Sequence, residues 1–243
     1  MSRYELMAKS ISRLTYEQCN GNKNNAKTMR GIVAGARHKY YSQDEADLIR
    51  QSITAYSEYA QRIYIHEGIG TIGIEEIRRE IYKHTAITGN SPIVFIDYLQ
   101  IVAPYELRAT DKQNTDKSVL ELKRLSRDIK IPIFAISSFN RDNYTAPVNH
   151  ASFKESGAIE YSSDVLLGMQ FAGMDDLKQG EGQKAVNAKQ VDEWKKQDPR
   201  KTELKILKNR NHKVGISLYY DYFPMFNLFK ETGSSLAPAG IRR

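Results

Sequence analysis

The 243 residues are 40% hydrophobic and 27% charged, ample for the core of one large domain or one domain with insertions. A net charge of +7 and a pI near 9.3 favour a polyanionic partner such as nucleic acid. Cys19 is the only cysteine, which excludes an intrachain disulfide and a cysteine zinc cluster. No apolar run approaches a membrane span and Met1 to Glu5 lacks signal-peptide features, so a reduced, cytoplasmic setting without a membrane partner is expected.

Ser2 followed by Glu5 is a capping-box pattern, and Leu6, Met7, Ile11 and Leu14 recur at helical spacing, so a helix opens the chain. Asn20 to Lys27 is a polar, turn-rich connection. Ser42 and Glu45 repeat the capping signature ahead of a stripe at Ala46, Ile49, Ile53 and Tyr56. Arg62 to His66 alternates like a short strand. Gly68, Gly70 and Gly73 punctuate a turn before a helix striped by Ile74, Ile77 and Ile81. No Gly-Lys-Ser/Thr follows these glycines, so a plain turn is favoured over a phosphate loop.

Ile93 to Ile96 is an unbroken, largely β-branched run of the kind found in a strand buried on both faces, and Asp97 ends it. Ligands of open parallel sheets gather at the carboxyl ends of strands. Asp97 therefore either faces a Mg²⁺-bound phosphate or merely marks the strand end, and the run alone does not choose. Thr115 can cap a helix striped by Leu122, Leu125 and Ile129, and Ile131 to Ser137 reads as a second buried strand. Strand, helix and strand at this spacing predict a right-handed parallel βαβ unit.

Ser138 to Gly157 is a long polar loop, of a length that is functional or disordered inside a compact domain. Asp164 to Phe171 predicts a third strand. Residues 172–200 are highly charged, with one helix around Val186 to Lys196, and read as a surface insertion. Thr202 to Leu207 and Ile216 to Tyr220 are two strands joined by a basic hairpin-like turn. Phe223 to Phe229 adds an apolar segment, and residues 231–243 end as a flexible tail.

Four segments occur in a distinctive order: VFIDYLQIV at Val94 to Val102, ISSFNR at Ile136 to Arg141, FKESGAIEYSSDV at Phe153 to Val165, and LKNRNHKVG at Leu207 to Gly215. Together they resemble the C-terminal RecA-like ATPase domain of DnaB-type replicative helicases. MSRYELMAKSISRL at the start is similar to the family's helix after the first strand beyond the P-loop. The likeness runs from Met1 to about Phe229, and the charged insertion is its weakest part. It implies an α/β, RecA-like P-loop NTPase core over residues 1–230, with a mostly parallel central sheet flanked by helices.

The resemblance also implies roles. Asp97 matches the Walker B aspartate, which holds Mg²⁺ through water beside the transferred phosphoryl group. Ser138, Asn140 and Arg141 fall where the family senses the γ-phosphate and signals to the DNA-binding loops. A glutamine usual in that motif is Ser138 here, whose hydroxyl is too short to do the same work without a bridging water. Lys154, Glu155, Ser156 and Gly157 match the channel loop that holds single-stranded DNA, where backbone N–H groups and a lysine suit phosphates without reading bases. Lys208 and Arg210 match the pair that reaches a neighbouring subunit's nucleotide. Read without the resemblance, both basic stretches are solvated loops. ATP and Mg²⁺ are the implied cofactors. The implied partners are single-stranded DNA, identical subunits in a hexameric ring, and a helicase loader or primase.

One departure is large. No GxxxxGK[ST] occurs in the 243 residues, so the chain by itself is expected to be inactive as an ATPase. The family carries its P-loop strand ahead of the position matched by Met1. The sheet is therefore expected to lack that strand and to leave an apolar edge at Ile93 to Ile96. The function implied is the C-terminal part of an ATP-dependent DNA helicase. A non-catalytic DNA-binding or helicase-assembly module is the second reading, and a RecA-like recombinase or primase-helicase the third.

Overall fold

The computed structural model describes residues 2–68, 71–140, 144–153, 156–180 and 183–235. Helix α1 (Arg3–Gln18) starts where the sequence places it: Ser2 Oγ accepts from the Glu5 N–H, and the Glu5 carboxylate accepts from the Ser2 N–H at 2.7 Å. Ser42 and Glu45 make the same reciprocal pair ahead of α4 (Gln43–Ala60). Two short helices lie between them, α2 (Met29–Val33) and α3 (Gly35–His38). The polar connection is held onto α1 because the buried Ser12 and Thr15 hydroxyls both donate to the Lys27 carbonyl.

Helices α5 (Ile74–Thr88) and α6 (Asp111–Ile129) flank a parallel pair of strands, β1 (Val94–Ile96) and β2 (Ile133–Ala135), with Phe95 opposite Phe134. The cap of α6 is Thr110, paired with Gln113. Thr115, expected there from its position before the stripe, is buried inside the helix instead. Thr110→Ala should lower stability by about 1 kcal/mol, read as a lower urea midpoint at unchanged slope.

The βαβ unit forms as predicted, but the strands are covered on one face only. Val94, Ile96 and Ile133 pack against Ile77 and Ile81 of α5 and Leu122 and Leu125 of α6. On the other face Ile93, Phe95, Phe134 and Ile136 are 62%, 69%, 49% and 50% exposed. Phe95 and Phe134 stack there, with ring centroids 4.8 Å apart. The free edge of β1 has no ladder partner among the described residues. Arg62 to His66 does not become that partner: its backbone is irregular, and Ile63 and Tyr64 are exposed.

Helix α7 (Ser156–Ser162) leads into β3 (Val165–Phe171), followed by α8 (Gln183–Lys196), β4 (Arg200–Asn209), β5 (Ser217–Phe223) and β6 (Leu228–Ser234). These four strands are antiparallel, in the order β3-β4-β5-β6. The described strands thus make a small parallel sheet and a larger antiparallel one, not a mostly parallel sheet. The reason is connection length: the short turns from β4 to β5 and from β5 to β6 cannot carry the crossover that parallel pairing needs. Asn227, in the left-handed region at φ 53°, tightens the second turn.

The two sheets share one core. Leu166 of β3 and Leu207 of β4 pack in the same cluster as Ile96 and Ile133, although no backbone ladder joins β3 to β1 or β2. The last hairpin closes onto α1 through Phe223 and Phe226, whose rings lie 5.0 and 4.7 Å from that of Tyr16. Helix α8 buries Asn187 and Val191 and sets Trp194 beside Phe171.

Candidate functional site

The carboxyl end of β1 is held from both sides of Asp97. The Ile136 N–H donates to the Ile96 carbonyl and the Leu99 N–H donates to the Ile136 carbonyl, each at 2.9 Å. Beyond Asp97 the chain makes one 3₁₀ turn, Leu99–Ile101, anchored by the buried Leu99 side chain. Asp97 itself is exposed, and its carboxylate has no hydrogen bond or ion pair among the described residues. A strand-end acid with no structural partner is available to a cation.

Sequence reasoning missed the residue that bridges the two strand ends. Gln100 Nε2 donates to Ser137 Oγ at 2.9 Å, and Gln100 Oε1 accepts from the Ser138 N–H at 3.3 Å. A side-chain amide therefore stands next to Ser138, the position where the resemblance lacks its glutamine. The signal was present in FIDYLQ, but nothing local shows that Gln100 turns toward β2. A cavity of about 150 Å³ beside Gln100, lined also by Leu99, Asn114 and Ser118, is too small for a nucleoside triphosphate.

Asn140 is bonded within its own loop. Its N–H donates to the Ser152 carbonyl at 2.8 Å, and its amide Nδ2 lies 3.3 Å from both the Ala151 and Phe153 carbonyls. It closes the long loop on itself, helped by the edge-to-face contact of Phe139 with Phe153. Arg141, Lys154 and Glu155 lie outside the described residues. Ser156 and Gly157, expected in a loop, begin α7. A methyl group at Gly157 would meet nothing within 4 Å, so packing does not require glycine there.

The stretch 144–153 of that loop is tethered at several points. Asn187 Nδ2 donates to the Thr145 carbonyl at 3.1 Å. The Val148 N–H donates to Gln170 Oε1 at 2.7 Å, while the Val148 side chain lies against Gly168, where a Cβ would come within 2.6 Å of it. Gln170 Nε2 in turn donates to the buried Glu203 at 2.9 Å.

Lys208 and Arg210 stand at the end of β4, beside the start of β3. Lys208 Nζ donates to the Glu160 carbonyl at 2.5 Å, and Arg210 Nη2 to the Tyr161 carbonyl at 2.9 Å, both in α7. Arg210 Nη1 is 3.3 Å from Asp164 Oδ1, and Lys123 of α6 donates to the other oxygen of that carboxylate. The Lys123 bond, then the charges of Lys123, Arg210 and Lys208, hold the Asp164 carboxyl below the usual aspartate range against the opposing effect of burial.

Among the described residues no cluster of three or more His, Cys, Asp or Glu could hold a metal ion. A lone exposed carboxylate does fit Mg²⁺, which keeps most of its waters and takes its remaining ligands from substrate phosphate. None of the described helices is long and apolar enough to cross a membrane.

Residues 25–231 match the family described as DnaB-like helicase C terminal domain. The chain belongs to that family. The replicative DNA helicase DnaB of Helicobacter pylori is 31% identical over 100 residues, covering 40% of this chain and 20% of the relative. DnaB of Rickettsia prowazekii is 27% identical over 206 residues, covering 80% of this chain and 40% of the relative. This DnaB-family chain thus spans less than half the length of these relatives. A DnaB-like replicative helicase, solved to show its interactions with primase, superposes with a TM-score of 0.70 at 16% identity, covering 94% of this chain and 48% of that one. A second solved structure, described as an ATPase domain, superposes with a TM-score of 0.68 at 16% identity, covering 94% of this chain and 70% of that one. These likenesses establish an α/β, RecA-like DnaB domain fold.

Proposed function

We propose that this DnaB-family chain is the C-terminal part of an ATP-dependent replicative DNA helicase that works as a ring of identical subunits on single-stranded DNA. The observation that carries this reading is Asp97: an unpartnered, exposed carboxylate at the carboxyl end of a parallel strand, in a DnaB-type domain. Mg²⁺, when bound, would neutralise charge on the phosphates of ATP. Asp97 would hold that ion, while Lys208 and Arg210 meet the nucleotide of the neighbouring subunit. Lys154 to Gly157 hold the DNA backbone, and Ser138, Asn140 and Arg141 link nucleotide state to that loop, with Gln100 beside Ser138. A primase or helicase loader is the further partner this reading expects.

The covered-on-one-face strands agree with a missing neighbour. A parallel sheet is almost always buried on both faces. Here Phe95 and Phe134 are open, and on the opposite face β3 shares the core of Ile96 and Ile133 without a ladder. In this reading a strand-and-helix unit carrying the glycine-rich phosphate loop covers them, so the 243-residue chain alone turns over no ATP. Purified chain should show no Mg²⁺-ATP hydrolysis. Adding a polypeptide with the phosphate-loop strand and helix of a DnaB ATPase domain should bring turnover that Asp97→Ala abolishes. Turnover by the chain alone, lost in Asp97→Ala, would sink the half-site reading.

The absence of GxxxxGK[ST] from these residues favours a second reading, a non-catalytic module that binds single-stranded DNA or joins helicase subunits. Salt-dependent DNA binding weakened by Lys154→Ala, with no turnover under any complementation, is its signature.

A further inference from the structure

We propose that Asp164 is a positioning residue that stores Lys208 and Arg210 on the C-terminal end of α7, from which a polyphosphate must withdraw them. This rests on the phosphate-binding role proposed above for the two cations. The last carbonyls of a helix have no partner within it and carry the negative end of its dipole. In α7 two of them are met by these side chains: Lys208 Nζ reaches the carbonyls of Glu160 and Tyr161 at 2.5 and 3.3 Å, and Arg210 Nη2 reaches that of Tyr161 at 2.9 Å, while Ser163 Oγ also donates to the Glu160 carbonyl at 3.3 Å. Asp164 fixes the pose twice. Its carbonyl accepts from the Arg210 N–H at 3.0 Å, and its Oδ1 stands 3.3 Å from Arg210 Nη1.

Magnitudes decide whether this is a fixed bridge or a stored one. The Arg210 and Asp164 side chains are 48% and 55% exposed, and ion pairs so open to solvent contribute only about 0–1 kcal/mol. A triphosphate offers several negative charges and bidentate geometry, and so outcompetes one carboxylate and two carbonyls. When Arg210 leaves, Lys123 still holds Asp164, so no carboxylate is stranded. The helix end is what loses its cap. Helix α7 begins at Ser156 and Gly157, inside the segment proposed to hold DNA, so phosphate capture at one end loosens the element that starts at the other.

The test is hydrogen exchange of the α7 amides in the full chain, with inorganic tripolyphosphate as the probe. Tripolyphosphate should speed exchange at residues 160–163 by about two- to fivefold, the size expected for losing a cation at a helix C-terminus. Asp164→Asn should raise the basal exchange by a similar factor and remove the response to tripolyphosphate, and Asp164→Glu should restore both. The double variant Lys208→Ala/Arg210→Ala should lose tripolyphosphate binding. Binding that depends on these two cations but leaves α7 exchange unchanged overturns the storage role alone. Binding that survives the double variant overturns the phosphate role, and the storage role with it.

Discussion

Arg210→Ala, in the rings proposed above complemented with the phosphate-loop unit, should lower ATP turnover by about 10³- to 10⁵-fold. Phosphoryl transfer leaves a protein little covalent work, so a guanidinium aimed at the equatorial oxygens of the transferred group supplies much of the acceleration. The effect is separable from unfolding. Among the described residues, the side chain of Arg210 loses only Tyr161 and Asp164, in a contact open to solvent, so the thermal midpoint should barely move. Arg210→Lys keeps the charge but loses the planar fork, and should recover only part of the rate. Single-turnover hydrolysis is the measurement, because it excludes product release. A ring of Arg210→Ala subunits that hydrolyses ATP at the parental rate would remove this side chain from the transfer step.

What the sequence revealed and what it hid divide by the range of the interactions. The caps at Ser2 and Ser42 were readable because a capping box is complete within four residues. The third strand, the basic hairpin and the position of Asp97 were readable from pattern and motif. Thr115 was misread because a threonine before an apolar stripe looks like a cap whether or not Thr110 lies one turn earlier. Ile93 to Ile96 looked buried on both faces because a run of apolar residues records only that it avoids water, not which element covers it. Phe95, 69% exposed, has no helix or strand over it among the described residues.

The polar residues that organise the candidate site were the least legible. Asp164 marked a strand start in the sequence, but its partners Lys123 and Arg210 come from α6 and from the far end of β4. Asn140 carried an expectation of nucleotide sensing from its motif, and nothing local showed that its amide faces the loop carbonyls of Ala151 and Phe153. Gln170, a lone amide within an apolar strand, gave no local hint that it holds Val148 and Glu203 at once.

Gln170→Leu should destabilise the chain by about 2–5 kcal/mol, the second of the two largest effects expected. Leucine fills nearly the same volume, so the loss lies in hydrogen bonding, not in a cavity. The Val148 N–H loses its acceptor at 2.7 Å, and one oxygen of Glu203, a residue only 5% exposed, loses its donor at 2.9 Å. Each buried polar group left unpaired costs about 1–3 kcal/mol, whereas a normal paired group contributes only about 1 kcal/mol net. Ser217 Oγ still donates to the other Glu203 oxygen, which keeps the loss below that of a wholly stranded carboxylate. Adding Glu203→Gln to Gln170→Leu removes the buried charge and should recover part of the stability. Urea unfolding of the single and double variants measures both steps. The same change reaches function, because Val148 precedes the turn at His150–Ser152 and Phe153, which leads into the proposed DNA loop. Weaker single-stranded DNA binding should therefore accompany the lost stability, at temperatures where the variant is still folded. If Gln170→Leu unfolds at the parental urea midpoint and binds DNA as before, the loop is held by Asn140 and Asn187 alone.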